Sequence, residues 1–293
     1  MAQVFGAEIR GGDVGSSEVT FIPDKVREAA VRVDMRTAAS ITLFLQAAIP
    51  AIALSGAQAS LDVIGGTDVP WSPTYDYLEK VVRPAYELIG IKFASTVQKR
   101  GYYPKGGGRV TVQVQPASSV MPLDLTFVDT QVRAHLVSRC ANLPRHIAER
   151  QLNSMERSLA SEGIGVSSRT VSVEKALSPG SSVLAFSVEG GRFVGADAIG
   201  SRGRPAEEVG KQAGDSFTRT VKSGSTVDLN LADMVAPLLC IAEEPSVIRI
   251  LQSTLHLKTV LFVAGLFTGS EYGLEGGDGS TLLAIRPRRG HNA

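Results

Sequence analysis

Three segments of the chain share one pattern, and this repeat limits the folds that the chain can adopt. Each segment predicts two short strands around a glycine-rich turn, with a proline directly after the second strand: residues 6–23, 90–116 and 269–287. A proline ends a strand pairing because it has no backbone N–H to donate. One hairpin recurring at separated places indicates a fold built from repeated units.

The same predicted elements precede the second and third hairpins. Before the second hairpin they are a helix over 37–54, a strand over 60–64 and a helix that begins with Ser72 as its N-cap. Before the third hairpin, the corresponding helix, strand and helix are predicted over 231–241, 247–251 and 257–267. The sequence therefore predicts an α/β (α+β) fold of repeated helix–strand–helix–hairpin units.

The spacing of the hairpins indicates an insertion. Pro23 and Pro116 lie 93 positions apart, whereas Pro116 and Pro287 lie 171 apart, and the difference of 78 residues is the size of a small domain. Residues 142–220 are predicted to form this inserted α/β domain, as helix, three strands and helix. Residues 1–141 and 221–293 would then form the repeated domain.

Composition excludes several classes of protein. The net charge is +1, so any binding to nucleic acid must come from local patches rather than from an overall basic field. Two cysteines, Cys140 and Cys240, provide neither a disulfide framework nor a metal-ligand spacing. The chain shows no leader pattern and no apolar run of membrane-spanning length. We therefore expect a soluble cytoplasmic protein that does not span a membrane.

The turn of the second hairpin carries a distinctive string, Arg-Gly-Tyr-Tyr-Pro-Lys-Gly-Gly-Gly-Arg-Val over residues 100–110. Its local interpretation is open: the positive charges could meet a polyanion, or the turn could be a solvated hairpin tip. These charges are Lys99, Arg100, Lys105 and Arg109. The full string resembles the signature of the RNA 3′-terminal phosphate cyclase family at every fixed position. This resemblance implies three repeated α/β units, the first incomplete here, with a smaller inserted domain.

A second stretch, Ser-Thr-Leu-His-Leu-Lys-Thr over 253–259, joins a predicted strand to a predicted helix. A histidine there is well placed for a phosphate, because the amides of a helix N-terminus face it, although a surface histidine is the alternative. The family carries His-Leu-x-Thr at this place. The resemblance therefore implies that His256 is the catalytic nucleophile that attacks the α-phosphorus of ATP. Val260 departs from the asparagine usual in the family.

The resemblance also implies contacts to the nucleotide. The matching residues are Gln46 and the run Asn230, Leu231, Ala232, Asp233 and Met234. Asn230 and Met234 depart from the usual pattern of an aromatic residue or histidine followed by Leu-Ala-Asp-Gln. Asp233 could orient His256 or hold a divalent ion, or be a first-turn aspartate favoured by the helix dipole. Gln46 needs a partner in so apolar a helix, and a backbone carbonyl is the alternative to a nucleotide.

Three further stretches have weaker signals. Residues 65–69, Gly-Gly-Thr-Asp-Val, match a family run and predict a structural turn from strand to helix. Residues 200–204, Gly-Ser-Arg-Gly-Arg, could bind phosphate or form a loop, and the loop is favoured. The basic tail over 286–291 could touch RNA or be a disordered terminus.

The activity implied by the resemblance is ATP-dependent conversion of an RNA 3′-terminal phosphate to a 2′,3′-cyclic phosphate through a histidine–AMP intermediate. It implies ATP and Mg²⁺ or Mn²⁺ as cofactors. The partner would be RNA with a 3′-phosphate, contacted mainly at its backbone and end. Oligomeric state is not predicted. The alternatives are a catalytically inactive cyclase-like protein of ribosome assembly, against which His256 argues, and a degenerate reading frame that folds poorly.

The family normally has about one further helix–strand–helix unit before the segment that matches residues 4–6. That unit carries a catalytic glutamate, a glutamine and phosphate-binding arginines. A late start codon, a real truncation or a second chain that supplies the unit are the three alternatives. Without it, apolar faces of the neighbouring units are expected to be exposed.

Overall fold

The computed structural model describes residues 2–24, 30–127, 131–277 and 279–288. The predicted tail contacts of Arg289 and His291 lie outside the described residues. Within the described part, the strands form one two-stranded and three four-stranded sheets. None of the described helices is both long and apolar enough to cross a bilayer.

The first hairpin is short and exposed. A single helical turn, α1 (Ala2–Phe5), precedes β1 (Glu8–Arg10) and β2 (Thr20–Ile22), which pair antiparallel. The buried side chains of Val4 and Phe5 attach this segment to the main core. The predicted hairpin over 6–23 is confirmed.

The second unit contains the sheet with order β3-β4-β6-β5. Its elements are β3 (Ala30–Asp34), α2 (Ile41–Leu54), β4 (Ala59–Gly65), α3 (Tyr75–Tyr77), a π-helical turn (Leu78–Val82), α4 (Arg83–Leu88), β5 (Phe93–Lys99) and β6 (Gly108–Val114). β3 runs parallel to β4, and the β5–β6 hairpin is antiparallel. The predicted order of helix, strand, helix and hairpin is therefore observed here.

The helix start predicted at Ser72 is wrong. Thr74 is the N-cap, and its side chain accepts a hydrogen bond from the backbone N–H of Tyr77 at 3.2 Å. Ser72 instead donates to the carbonyl of Val69 at 3.0 Å. Two candidate caps separated by a proline cannot be ranked from propensity alone, because both residue types fit the position.

The third unit repeats the same order. Its elements are α7 (Leu229–Leu239), β12 (Ser246–Ile250), α8 (Leu255–Thr268), β13 (Glu271–Gly276) and β14 (Thr281–Arg286). A short strand, β7 (Asp124–Leu125), pairs parallel with β12 and completes the sheet order β13-β14-β12-β7. The third hairpin is thus confirmed.

Along the chain, a separate sheet with its own core comes between the second and third units. It has the order β11-β10-β8-β9, formed by β8 (Arg133–Ala141), β9 (Gly165–Glu174), β10 (Gly180–Ser187) and β11 (Val194–Ile199). The helices α5 (Arg145–Ala160) and α6 (Ala206–Lys222) pack on it, and both bury the apolar stripes expected from their sequence. β8 precedes residue 142, where the insertion is predicted to begin, yet pairs with β9 and β10. The division into domains stays a prediction.

One helix of the third unit leaves much of its apolar surface uncovered. Within α8, Leu257 and Leu261 are buried in the main core. Leu266 and Phe267 are 70% and 88% exposed. The chain thus presents an apolar helix face to solvent.

The first residue of the signature string is an internal connector. Arg100 is 1% exposed, and its Nη1 donates to both carboxylate oxygens of Asp68 at 3.1 and 3.0 Å. Asp76 accepts from Arg100 Nη2 at 2.9 Å and from Arg139 Nε of β8 at 2.6 Å. Burial by itself would raise the pKa of Asp76, but the two arginines outweigh it and hold that pKa below its usual value. This network joins the second unit to the sheet that contains β8.

The glycines of the string permit close backbone contacts. A Cβ on Gly101 would lie 2.4 Å from the amide nitrogen of Gly108 and 2.5 Å from the carbonyl oxygen of Gly65. The backbone amide of Thr67 donates to the carbonyl of Gly101 at 2.9 Å. The predicted structural role of residues 65–69 is therefore confirmed, because this turn and the signature string bind each other through backbone groups.

Candidate active site

A cleft of about 630 Å³ lies where α2, α7 and the start of α8 meet. It contains five of the seven predicted site residues: Gln46, Asn230, Asp233, Met234 and His256. These residues are up to 210 positions apart in the sequence. The fold therefore gathers most of the predicted site into one depression.

The first turn of α7 is fixed by its N-cap. Asp228 accepts from the amides of Asn230 and Leu231 at 3.0 and 3.1 Å. The same carboxylate accepts from the hydroxyl of Tyr77 at 2.7 Å and from the amide of Gly195 at 2.8 Å. Burial raises the pKa of Asp228 to about 6. One side chain thus aligns α7 with the second unit and with β11.

Two of the predicted residues do not line the cleft. The side chains of Leu231 and Ala232 are fully buried in the main core. On an α-helix, residues one and two positions apart point in different directions, so a continuous run of five cannot all face one site. Leu231 and Ala232 anchor the helix, and Asn230, Asp233 and Met234 face the cleft.

His256 lies in the first turn of α8. Thr254 is the N-cap, and its hydroxyl accepts from the amide of Leu257 at 3.0 Å. The side chain of His256 is 72% exposed, and its Nε2 lies 3.7 Å from Oδ2 of Asp233. The imidazole is therefore accessible to a ligand in the cleft, with a carboxylate on one side.

Asp233 is the acidic residue that lines this cleft. Its side chain is 19% exposed, and its Oδ1 is buried with no hydrogen-bond partner in the described part of the chain. Burial raises the pKa of Asp233, and the nearby His256 acts in the opposite direction. A buried carboxylate oxygen without a partner is costly, so this atom is suited to a donor or cation brought by a ligand.

Gln46 contributes a polar group from α2. Its side chain lines the cleft, and its backbone carbonyl is 3.5 Å from the hydroxyl of Tyr86. Among the described contacts, the side-chain amide has no hydrogen-bond partner. The backbone carbonyl expected as its alternative partner is therefore not observed, and the amide remains available to a ligand.

Apolar side chains complete the wall of the cleft. They are Leu43, Ala47, Pro50, Trp71, Pro73, Pro237 and Leu238. Trp71 was not identified from the sequence, although it is the chain's single tryptophan and lies between two prolines in a turn. Flat apolar walls with few polar groups are typical of sites for nucleobases and other small molecules.

The described residues contain no group of three or more His, Cys, Asp or Glu side chains placed to hold a metal ion. Asp233 is thus a single carboxylate available in the cleft. A hard divalent cation such as Mg²⁺ is commonly held by one or two carboxylates together with the phosphates of a substrate. With the one carboxylate of Asp233, the cleft fits a cation that is held jointly by the protein and by the phosphates of a substrate.

The family model and the similar proteins that match this chain carry the same description. The sequence model described as RNA 3′-terminal phosphate cyclase matches residues 1–274. The RNA 3′-terminal phosphate cyclase of Thermococcus kodakarensis is 36% identical over 288 residues, which cover 98% of this chain and 83% of the relative. Those of Pyrococcus abyssi and Archaeoglobus fulgidus are each 38% identical, over 92% and 93% of this chain and 78% and 81% of the relatives. The chain therefore belongs to the RNA 3′-terminal phosphate cyclase family.

Proposed function

We propose that this chain converts the 3′-terminal phosphate of RNA to a 2′,3′-cyclic phosphate with consumption of ATP, and that His256 is the nucleophile. One observation carries the proposal. An accessible imidazole lies 3.7 Å from a carboxylate whose other oxygen is buried and unpaired, within a cleft large enough for a nucleotide. Family membership and the names of the relatives support the enzyme class.

The first step would form a covalent bond to the protein. A neutral ring nitrogen of His256 attacks the α-phosphorus of ATP, the bond to the bridging oxygen breaks, and pyrophosphate leaves with the electron pair. The AMP group then moves from His256 to an oxygen of the RNA 3′-phosphate. Finally, the neighbouring 2′-hydroxyl attacks that activated phosphorus and AMP leaves. Each displacement has a good leaving group, which the direct reaction of the phosphate lacks.

The lining of the cleft supports a position for the nucleotide. Leu43, Pro73 and Leu238 offer an apolar surface to a base. The amides of Gln46 and Asn230 offer donors and acceptors to its edge or to the ribose. Met234 replaces the glutamine usual in the family, so contacts there would be apolar rather than hydrogen bonds.

The two carboxylate oxygens of Asp233 would have different partners. Its Oδ2 faces His256 and would hold the ring in position, while the buried Oδ1 would accept from the ligand or bind a divalent ion. When bound with the substrate, Mg²⁺ or Mn²⁺ would supply neutralisation of the triphosphate charge. We further propose a cytoplasmic location, an RNA partner and residues 142–220 as an inserted domain.

The test uses a short RNA with a radiolabel on its 3′-phosphate. Incubation with the protein, ATP and Mg²⁺ or Mn²⁺ is expected to make the label resistant to phosphatase, because a cyclic phosphate has no monoester end. The label should stay sensitive to phosphatase when the His256→Ala variant is used instead of the unaltered protein, or when ATP is omitted. Equal protection by His256→Ala would overturn the assignment of the nucleophile, and sensitivity in every reaction would overturn the proposed activity.

A further inference from the structure

The cleft of His256 continues into two neighbouring depressions. A cleft of about 700 Å³ shares Trp71, Pro73 and Asn230 with it. A third cleft of about 380 Å³ shares Gly200, Ser201 and Arg204 with the second. We call these three clefts together the long groove. It leads from His256, past Trp71, to the loop between β11 and α6.

Trp71 stands at the junction of the first two clefts. Its side chain is 98% exposed, and its backbone has a φ of 62°. A bulky residue in the left-handed region is uncommon and strained, and such strain tends to collect at functional sites. A hydrogen bond from Ser72 to the carbonyl of Val69 closes the turn that presents the indole. The turn therefore holds a flat aromatic surface open to solvent beside the cleft of His256.

The far end of the long groove is basic. Arg202 is exposed and forms no ion pair among the described contacts, and Arg204 lies 4.0 Å from Glu208, a weak surface contact. Arg150 also lines this end but is paired with both carboxylate oxygens of Glu207. Two arginine charges thus remain available to an anion.

One carboxylate lies in the middle of the groove. Asp197 accepts from the backbone amide of Thr74 at 2.7 Å, and burial raises its pKa to about 6. Its Oδ2 is therefore directed into the protein, where it holds the start of α3. The groove has room for an extended chain between Trp71 and Arg204, with Gln212 and Ser201 as neutral polar neighbours.

We propose that the RNA strand leading to the reactive 3′-phosphate lies in the long groove, with one base stacked on Trp71 and upstream phosphates bound by Arg202 and Arg204. This inference rests on the proposed function, because it takes the end of the RNA to be at His256. Single-stranded nucleic acid is commonly bound by an aromatic platform followed by basic groups along the backbone. Recognition of this kind tolerates any base, since every base has a flat face to stack.

The single tryptophan makes the stacking directly observable, because all indole fluorescence of the chain comes from Trp71. Titration with 3′-phosphorylated oligouridylates of two and six nucleotides is expected to quench it, with tighter binding of the hexamer. A hexamer that binds by fluorescence anisotropy but leaves the indole emission unchanged would overturn the stacking. Trp71→Ala is expected to weaken hexamer binding on the order of tenfold.

The arginine contacts are tested by the salt dependence of hexamer binding. Each phosphate contact to a single strand contributes about 0.7 to the slope of log affinity against log salt. Arg202→Ala should lower that slope by about this amount. The matched control is Arg219→Ala, which replaces an exposed arginine in the last turn of α6 and should leave the slope unchanged. An equal slope for Arg202→Ala and the unaltered protein would contradict the proposed contact between Arg202 and an RNA phosphate.

A separate reaction keeps this inference distinct from the proposed function. Incubation with ATP alone tests the nucleophile without RNA. An AMP adduct together with unquenched Trp71 would overturn the RNA path and leave the activity standing. Quenching by the hexamer without an adduct would support the path as an RNA-binding groove and overturn the proposed catalysis.

Discussion

The guanidinium group of Arg100 donates to Oδ1 of Asp76 at 2.9 Å, and both side chains are buried. Arg100 is the first residue of the family signature, where an exposed cation that meets a polyanion was one open interpretation. Its charge is instead neutralised inside the protein by Asp76 and Asp68. The signature in this chain is thus a connection between the second unit and the sheet of β8. Of the other charges around it, Lys99 and Lys105 are exposed, and the exposed Arg109 is paired with Asp62.

Removing Arg100 is expected to destabilise the fold strongly. Arg100→Ala would leave the buried carboxylate of Asp68 without its cation and Asp76 with Arg139 alone. Loss of one member of a buried ion pair typically costs about 3–5 kcal/mol. Urea denaturation measures this change in the free energy of unfolding. The matched control is Arg109→Ala, which removes an exposed pair with Asp62 and should have a much smaller effect. Equal effects of the two substitutions would contradict the connecting role of Arg100.

Gly101 is expected to reject a side chain for steric reasons. An added Cβ would meet the backbone of Gly108 and Gly65 at 2.4 and 2.5 Å, and backbone atoms cannot move away as a side chain can. Gly101→Ala should therefore lower the midpoint of thermal unfolding by several degrees or prevent folding. Gly165→Ala is the control, because nothing lies within 4 Å of its Cβ position. Similar midpoints for both variants would contradict this steric account, because the backbone of Gly65 and Gly108 would then have moved to accommodate the added Cβ.

Asp197 is expected to make stability depend on pH. Burial raises its pKa to about 6 in the folded chain, above the usual value of 3.8, so the folded state binds more protons between those values. The free energy of unfolding should then fall as pH rises from 4 to 6, by up to about 3 kcal/mol for this group. Asp197→Asn can still accept from Thr74 and should reduce that slope. An unchanged slope would contradict the raised pKa of Asp197. Asp228 has a similarly raised pKa and should retain its own contribution.

Asp233 is expected to act through His256. Asp233→Asn removes the charge 3.7 Å from the imidazole, and loss of such a positioning group typically lowers activity about 10–100-fold. The measurement is the rate of AMP transfer to the protein as a function of pH. Titration of the Asp233 carboxylate should make the rate change over part of the pH range, and this part of the pH dependence should be absent in the asparagine variant. Asp215→Asn, on α6, is a control that should leave both rate and profile unchanged.

An unaltered profile in Asp233→Asn with a normal rate would show that Asp233 has no part in positioning His256. A lower rate with the profile intact would indicate a general structural effect. The two outcomes are distinguishable, because denaturation of the same variant reports its stability independently.

Local periodicity predicted much of the fold. Ala148, Leu152, Met155 and Leu159 recur at helical spacing, and all four are buried on α5. Proline after each hairpin correctly indicated where its second strand ends. These features depend on near neighbours in the chain, which is why the sequence alone reveals them.

Features that depend on distant contacts were not predictable in the same way. The burial of Arg100 requires Asp68, Asp76 and β8 to meet, and no local pattern indicates that meeting. The matched run at 230–234 indicated α7 as part of the site, but which of its residues face the cleft depends on how the helix is rotated. Trp71 became a candidate only when the turn placed it between two clefts.

The measurement that tests the central claim most directly is the intact mass of the protein after incubation with ATP and Mg²⁺ or Mn²⁺. The account predicts an increase equal to one AMP group, labile to acid, in the unaltered chain and its absence in His256→Ala. Such an adduct would establish the nucleophile before any RNA is added. An adduct of equal yield in His256→Ala, or none in either protein when both are folded, would contradict the account.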